Sequence, residues 1–126
     1  MPSLRILAAT VLTGTALLTA CGGGDGDTAG DAGGGTEIAV TGNDTSCDPA
    51  TSELAAGKTT FVFTNKAAMV NELYVYENKK VIKEVENVIT GASKKLTVTL
   101  EAGKSYTLTC KPGQSGAGFS AAITVS

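Results

Sequence analysis

Two cysteines far apart in the chain, Cys47 and Cys110, carry side chains able to do chemistry. Outside a reducing compartment their thiols can pair as a disulfide. As thiolates they can instead hold Cu(I), Zn(II) or iron. The chain contains no histidine. Without an imidazole there is no Ser-His-Asp triad, no Cys-His nucleophile and no His-ligated zinc. A blue-copper centre built on two His and a Cys is excluded as well. No paired carboxylates flank an evident cleft, and the glycines do not form a phosphate cradle between a strand and a helix. The chain is therefore expected not to be an enzyme.

A third cysteine, Cys21, closes the segment Leu18-Thr19-Ala20-Cys21. Before it stand the charged start around Arg5 and an apolar stretch from Ile6 to Leu18. That stretch is too short for a comfortable membrane span, and it carries Thr10, Thr13, Gly14 and Thr15. It reads as a secretory signal peptide. The ending resembles a bacterial lipobox, which implies cleavage before Cys21 and lipidation of that residue. Residues 1–20 are thus expected to be a lipoprotein signal peptide. The mature chain is expected on the extracytoplasmic face of a bacterial cell membrane, held there by acyl chains. Each buried methylene adds about 0.8 kcal/mol to such anchoring. Loss of Arg5 leaves nine Lys against twelve Asp plus Glu, a mature net charge of −3. That mild acidity gives no reason to expect a nucleic-acid partner. Residues 21–35 form the lipidated cysteine and a Gly/Asp-rich spacer, GGGDGDTAGDAGGG, with nothing to bury. Asp25, Asp27 and Asp31 lack the spacing of an EF-hand loop.

Residues 36–126 must position the cysteines. They suit one small domain, expected to be a monomer. Alternation of apolar and polar residues predicts strands over 37–41, 58–65, 72–77, 81–85, 95–101, 105–110 and 119–125. Ala56-Gly57-Lys58, Thr90-Gly91-Ala92 and Ala102-Gly103-Lys104 mark turns. The stretch Cys47–Leu54 reads either as a short helix or as an irregular crossing. Short strands at this spacing, with no amphipathic helix, predict an all-β antiparallel sandwich. Its expected core is Phe61, Phe63, Leu73, Val75, Leu96, Val98, Leu100, Leu108 and Ile123. Phe119 is expected to share a face with Ala121, Ile123 and Val125.

The pieces FVFTNK, NELYVYENKKVIKEVENV, LTVTLEAGKSYTLTCKPG and AAITVS resemble the EfeO-type cupredoxin-like domain of bacterial iron-uptake proteins. The resemblance covers nearly all of residues 36–126. It implies a Greek-key cupredoxin sandwich. It also implies a site for a copper or iron ion made by Cys47, Glu72 and Cys110. Glu72 would stand where ordinary cupredoxins place a His, and Cys110 where they place their Cys. Partners would be components of an iron or copper transport system, to which the module hands metal or electrons. Two features depart from the family. Gln114 stands where the family often has Met after CKPG, and the large helical imelysin-like domain of full EfeO proteins does not follow.

Two readings stand. In one, Cys47, Glu72 and Cys110 hold a metal. In the other, Cys47 and Cys110 form a disulfide that staples a partner-binding sandwich without metal. Strand parity puts Glu72 with Tyr74 and Tyr76, opposite Leu73, so a metal site would need a bulge to turn Glu72 inward. Tyr74 and Tyr76 read as packing residues, and Met69 as a loop residue packed under the sandwich end. Lys79, Lys80, Lys83, Lys94 and Lys95 read as guards of exposed strand edges.

Overall fold

The computed structural model describes residues 35–126. The expected signal peptide, Cys21 and spacer residues 22–34 lie outside the described residues. Among the described residues, nine strands form two sheets. The first sheet has the order β2-β1-β4-β7, with β1 Thr36–Gly42, β2 Cys47–Pro49, β4 Gly57–Asn65 and β7 Ser93–Leu100. The second has the order β3-β9-β8-β5-β6, with β3 Glu53–Leu54, β5 Asn71–Glu77, β6 Lys80–Val88, β8 Ser105–Cys110 and β9 Phe119–Val125. The inward sides of both sheets meet in one core. Phe61, Phe63, Leu96, Val98 and Leu100 come from the first sheet, and Leu73, Val75, Leu108 and Ile123 from the second. This is the predicted sandwich, with every expected core residue buried.

The pairing is mixed. β1 runs parallel to β4, Ile38 opposite Phe61 and Val40 opposite Phe63. β3 runs parallel to β9. Residues 47–54 contain no helix. They carry the chain from the edge of the first sheet, where β2 pairs with β1, to the edge of the second, where β3 pairs with β9. Strands only two or three residues long suffice because each borrows a ladder from a longer neighbour.

The lysines lie where the sheets end. β6 and β7 are the outer strands of their sheets, and they hold Lys80, Lys83, Lys94 and Lys95. Charge on an edge strand opposes pairing with another chain. Phe119 opens β9 opposite the buried Cys110, which puts it on the face of Ala121 and Ile123 as expected, though it stays 36% exposed at the strand's start.

Candidate functional site

Cys47 opens β2 and lies opposite Gly42 of β1. Cys110 closes β8 and lies opposite Leu73 of β5. Both are buried, and a disulfide joins them with their Cα atoms 5.3 Å apart. The bridge therefore ties the edge of one sheet to the interior of the other. Residues 63 apart in sequence are fixed to one another.

Glu72 does not join them. β5 pairs with β8 without a register shift, so Leu73 and Val75 face the core beside Cys110 and Leu108. Glu72 shares the outer side with Tyr74, whose hydroxyl donates to Glu72 Oε2 at 2.8 Å. A bulge is present, but on the neighbouring strand. Asn71 pairs with Val88 and Leu73 with Val85, so β6 carries the extra residue. Asn87 takes up the left-handed backbone there, φ 57°. A bulge on β6 leaves the facing of β5 unchanged. Among the described residues no three Cys, Asp or Glu side chains gather as a metal-ligand group.

Glu72 is nonetheless buried, 6% exposed. Gln114 explains this. Its Nε2 donates to Glu72 Oε1 at 3.1 Å and to Asn87 Oδ1 at 2.9 Å. Pro112–Gln114 form a short 3-10 turn just after β8. The Gly113 amide donates to the Val70 carbonyl at 2.7 Å, and the Lys111 amide to the Glu72 carbonyl at 3.0 Å. The ammonium of Lys111 lies 4.5 Å from the centre of the Tyr74 ring. The hydrogen bond to Glu72 holds the Tyr74 phenol well above the ordinary tyrosine range, with burial and the charges of Glu72, Glu84 and Glu86 adding to it.

The loop between β4 and β5 is held by two buried amides. Asn65 Nδ2 donates to the carbonyls of Met69 and Val88, both at 2.8 Å. Its Oδ1 accepts from the Ala67 amide at 2.8 Å and from Asn71 Nδ2 at 3.2 Å. Asn71 Oδ1 accepts from the Glu72 amide at 2.9 Å. Met69 is 62% exposed rather than packed beneath the sandwich end. It lies over Gly113, where a Cβ would stand 3.5 Å from its Sδ. Sequence reasoning missed Asn65 and Asn71. Polar residues flanking a loop read as turn formers, and only the fold shows them buried. The departure at Gln114 was visible, but its contact with Glu72 spans 42 residues.

A family model for a cupredoxin-like domain matches residues 7–125. The chain belongs to the cupredoxin-like domain family. Over 74 residues it is 35% identical to the iron uptake system component EfeO of Escherichia coli K12, and equally to that of Shigella flexneri. The match takes in 59% of this chain and 20% of the relative, so the chain spans about a fifth of the length of the curated relatives it matches. Solved structures share the fold. Auracyanin A of Chloroflexus aurantiacus, a "blue" copper protein, superposes with a TM-score of 0.55 at 15% identity, covering 74% of this chain and all of that one. Reduced auracyanin of Roseiflexus castenholzii gives 0.53 at 18%, covering 73% and 96%.

The donor set of this cupredoxin-like domain does not fit a blue-copper ion. Such a centre takes two imidazoles and a thiolate. Here there is no histidine, Cys110 is bridged to Cys47, and the core-facing position on β5 holds the amide of Asn71.

Proposed function

We propose that this protein is a lipid-anchored, extracytoplasmic accessory module of an iron-uptake system, working as a disulfide-stapled binding domain rather than as an enzyme or a resident copper protein. The relation to EfeO supports the process, and the lipobox ending at Cys21 supports the anchor. The observation that carries the reading is the Cys47–Cys110 bridge, which takes both soft ligands out of metal chemistry while Glu72 faces the other way. Its surface would serve a transport partner.

The test is a free-thiol count on the purified full-length protein, native and then denatured, with metal analysis on the same sample. With the Cys21 sulfur taken up by lipid and Cys47 bridged to Cys110, no free thiols and no stoichiometric metal are expected. Two free thiols with bound copper or iron would overturn the reading. They would favour Cys47, Glu72 and Cys110 as ligands, with β5 rearranged to bring Glu72 around. Loss of the protein is expected to slow growth under iron limitation and not in iron-replete medium.

A further inference from the structure

On the outer face of the second sheet lies an open depression of about 380 Å³. Tyr76 and Thr107 are partners across β5 and β8 and both line it. Asn78 and Lys79, the two residues that turn β5 into β6, line it as well. So do Lys111, which leaves the end of β8, and Ala117. Two neighbouring antiparallel strands thus present an aromatic ring and a hydroxyl, with an ammonium arriving from each of two loops.

The charge of this lining runs against the chain as a whole. The protein has a net charge of −2, yet no residue lining the depression is acidic. Of the carboxylates near it, Glu77 pairs with Lys104 at 3.1 Å and Glu72 accepts from Tyr74 and Gln114, while Glu84 and Glu86 stand on β6 beside Tyr74 and outside the lining. Lys79 makes no ion pair among the described residues, and Lys111 rests on the Tyr74 ring rather than on an acid. Two ammonium groups at a site whose lining holds no acid favour an anion. The ring of Tyr76 and the methyl of Ala117 add an apolar wall that an inorganic anion cannot use. The volume falls in the range of small-molecule sites.

We propose that this depression binds a small di- or tricarboxylate. Lys79 and Lys111 each take a carboxylate. The Thr107 hydroxyl and the Asn78 amide donate to the remaining oxygens. The ligand's carbon chain lies against Tyr76 and Ala117. The site stands independently of the iron-uptake reading, because it uses neither the cysteines nor a metal.

Citrate is the probe, titrated into the full-length protein by calorimetry and by amide-resolved NMR, with sulfate as the inorganic control. Saturable binding is expected, with shifts centred on Tyr76, Thr107 and Lys111. Sulfate is expected to bind at least about tenfold more weakly. Lys79→Gln and Lys111→Gln remove charge and keep length. The double variant is expected to lose at least about tenfold in citrate affinity, and Lys79→Gln alone, in an exposed turn, to leave the melting temperature unchanged. No saturable binding at millimolar citrate overturns the proposal. So does equal affinity for sulfate, or full affinity in a folded double variant.

Discussion

Glu72 and Tyr74 stand two residues apart on the outer face of β5, and the phenol of one donates to the carboxylate of the other at 2.8 Å. That contact fixes Glu72 away from Cys110 and gives the domain a group that responds to alkali. The hydrogen bond from Tyr74 exists only while the phenol is protonated, so folding raises its pKa above the unfolded value of about 10. Stability from this contact is complete below about pH 10 and is lost as pH rises above it through the higher folded value. In an alkaline titration followed by phenolate absorbance, a late component is expected. It should be absent from Tyr74→Phe, which should also cost about 1–2 kcal/mol at neutral pH because the buried Glu72 carboxylate loses a donor. A wild-type curve with no late component, or one unchanged by Tyr74→Phe, would refute the contact.

The Cys47–Cys110 bridge closes a loop across both sheets. With a separation of 63 residues, the chain-entropy account gives about 4 kcal/mol. For a domain of this size that corresponds to roughly 15–30 °C in melting temperature. Reductant should therefore lower the melt of the wild type strongly. Cys110→Ser should melt at the lower temperature with or without reductant. Equal melts of the wild type in both conditions would mean that the thiols are not bridged.

Much of this architecture is legible in the sequence because period-two alternation reports one face of a strand at a time. Phe61 with Phe63, and Leu96 with Val98 and Leu100, declare their shared face without help from any other segment. The parallel pairing of β1 with β4 is not legible, because strand direction within a sheet is set by topology and leaves no mark on either strand's pattern. The parity of Glu72 with Tyr74 was visible and correct. Its burial was not, because the residue that covers it, Gln114, comes from a distant loop. A ligand role for Glu72 would need a bulge on β5. The bulge at this end lies on β6 instead, where Asn87 tolerates the left-handed backbone.

Asn65 is the least replaceable polar residue of the site end. It is fully buried, and its amide serves two carbonyls, one backbone amide and Asn71. Asn65→Ala strands those groups without water and is expected to cost about 2–4 kcal/mol. Asn65→Asp keeps the volume but replaces the donor facing Met69 and Val88 with an acceptor, so it should cost at least as much. Chemical denaturation of both variants checks this. An Asp variant as stable as wild type would show that the donor does not matter.

Gly42 offers the sharpest test of packing at the same end. Its need for glycine is a matter of space, since its backbone is not in the left-handed region. A Cβ there would stand 2.7 Å from Phe63 Cε2 and 2.8 Å from Asn71 Nδ2. Both neighbours are fully buried, and Asn71 is held by its hydrogen bond to Asn65, so neither can retreat cheaply. Gly42→Ala is expected to destabilise by about 1–3 kcal/mol, the usual cost of overpacking a filled core. Gly91 is the contrast. A Cβ on it meets nothing within 4 Å, but its φ is 83°. Gly91→Ala should therefore cost only the backbone penalty, about 1–2 kcal/mol. The two variants separate by a further change. Asn71→Ala removes one of the two side chains that Gly42→Ala strikes, so the double variant should cost less than the sum of the singles. Gly91→Ala, whose added Cβ meets none of those side chains, should add to Asn71→Ala with little interaction. Strict additivity of Gly42→Ala with Asn71→Ala in denaturation midpoints would mean that the loop, Gly42 and Asn71 do not pack as described.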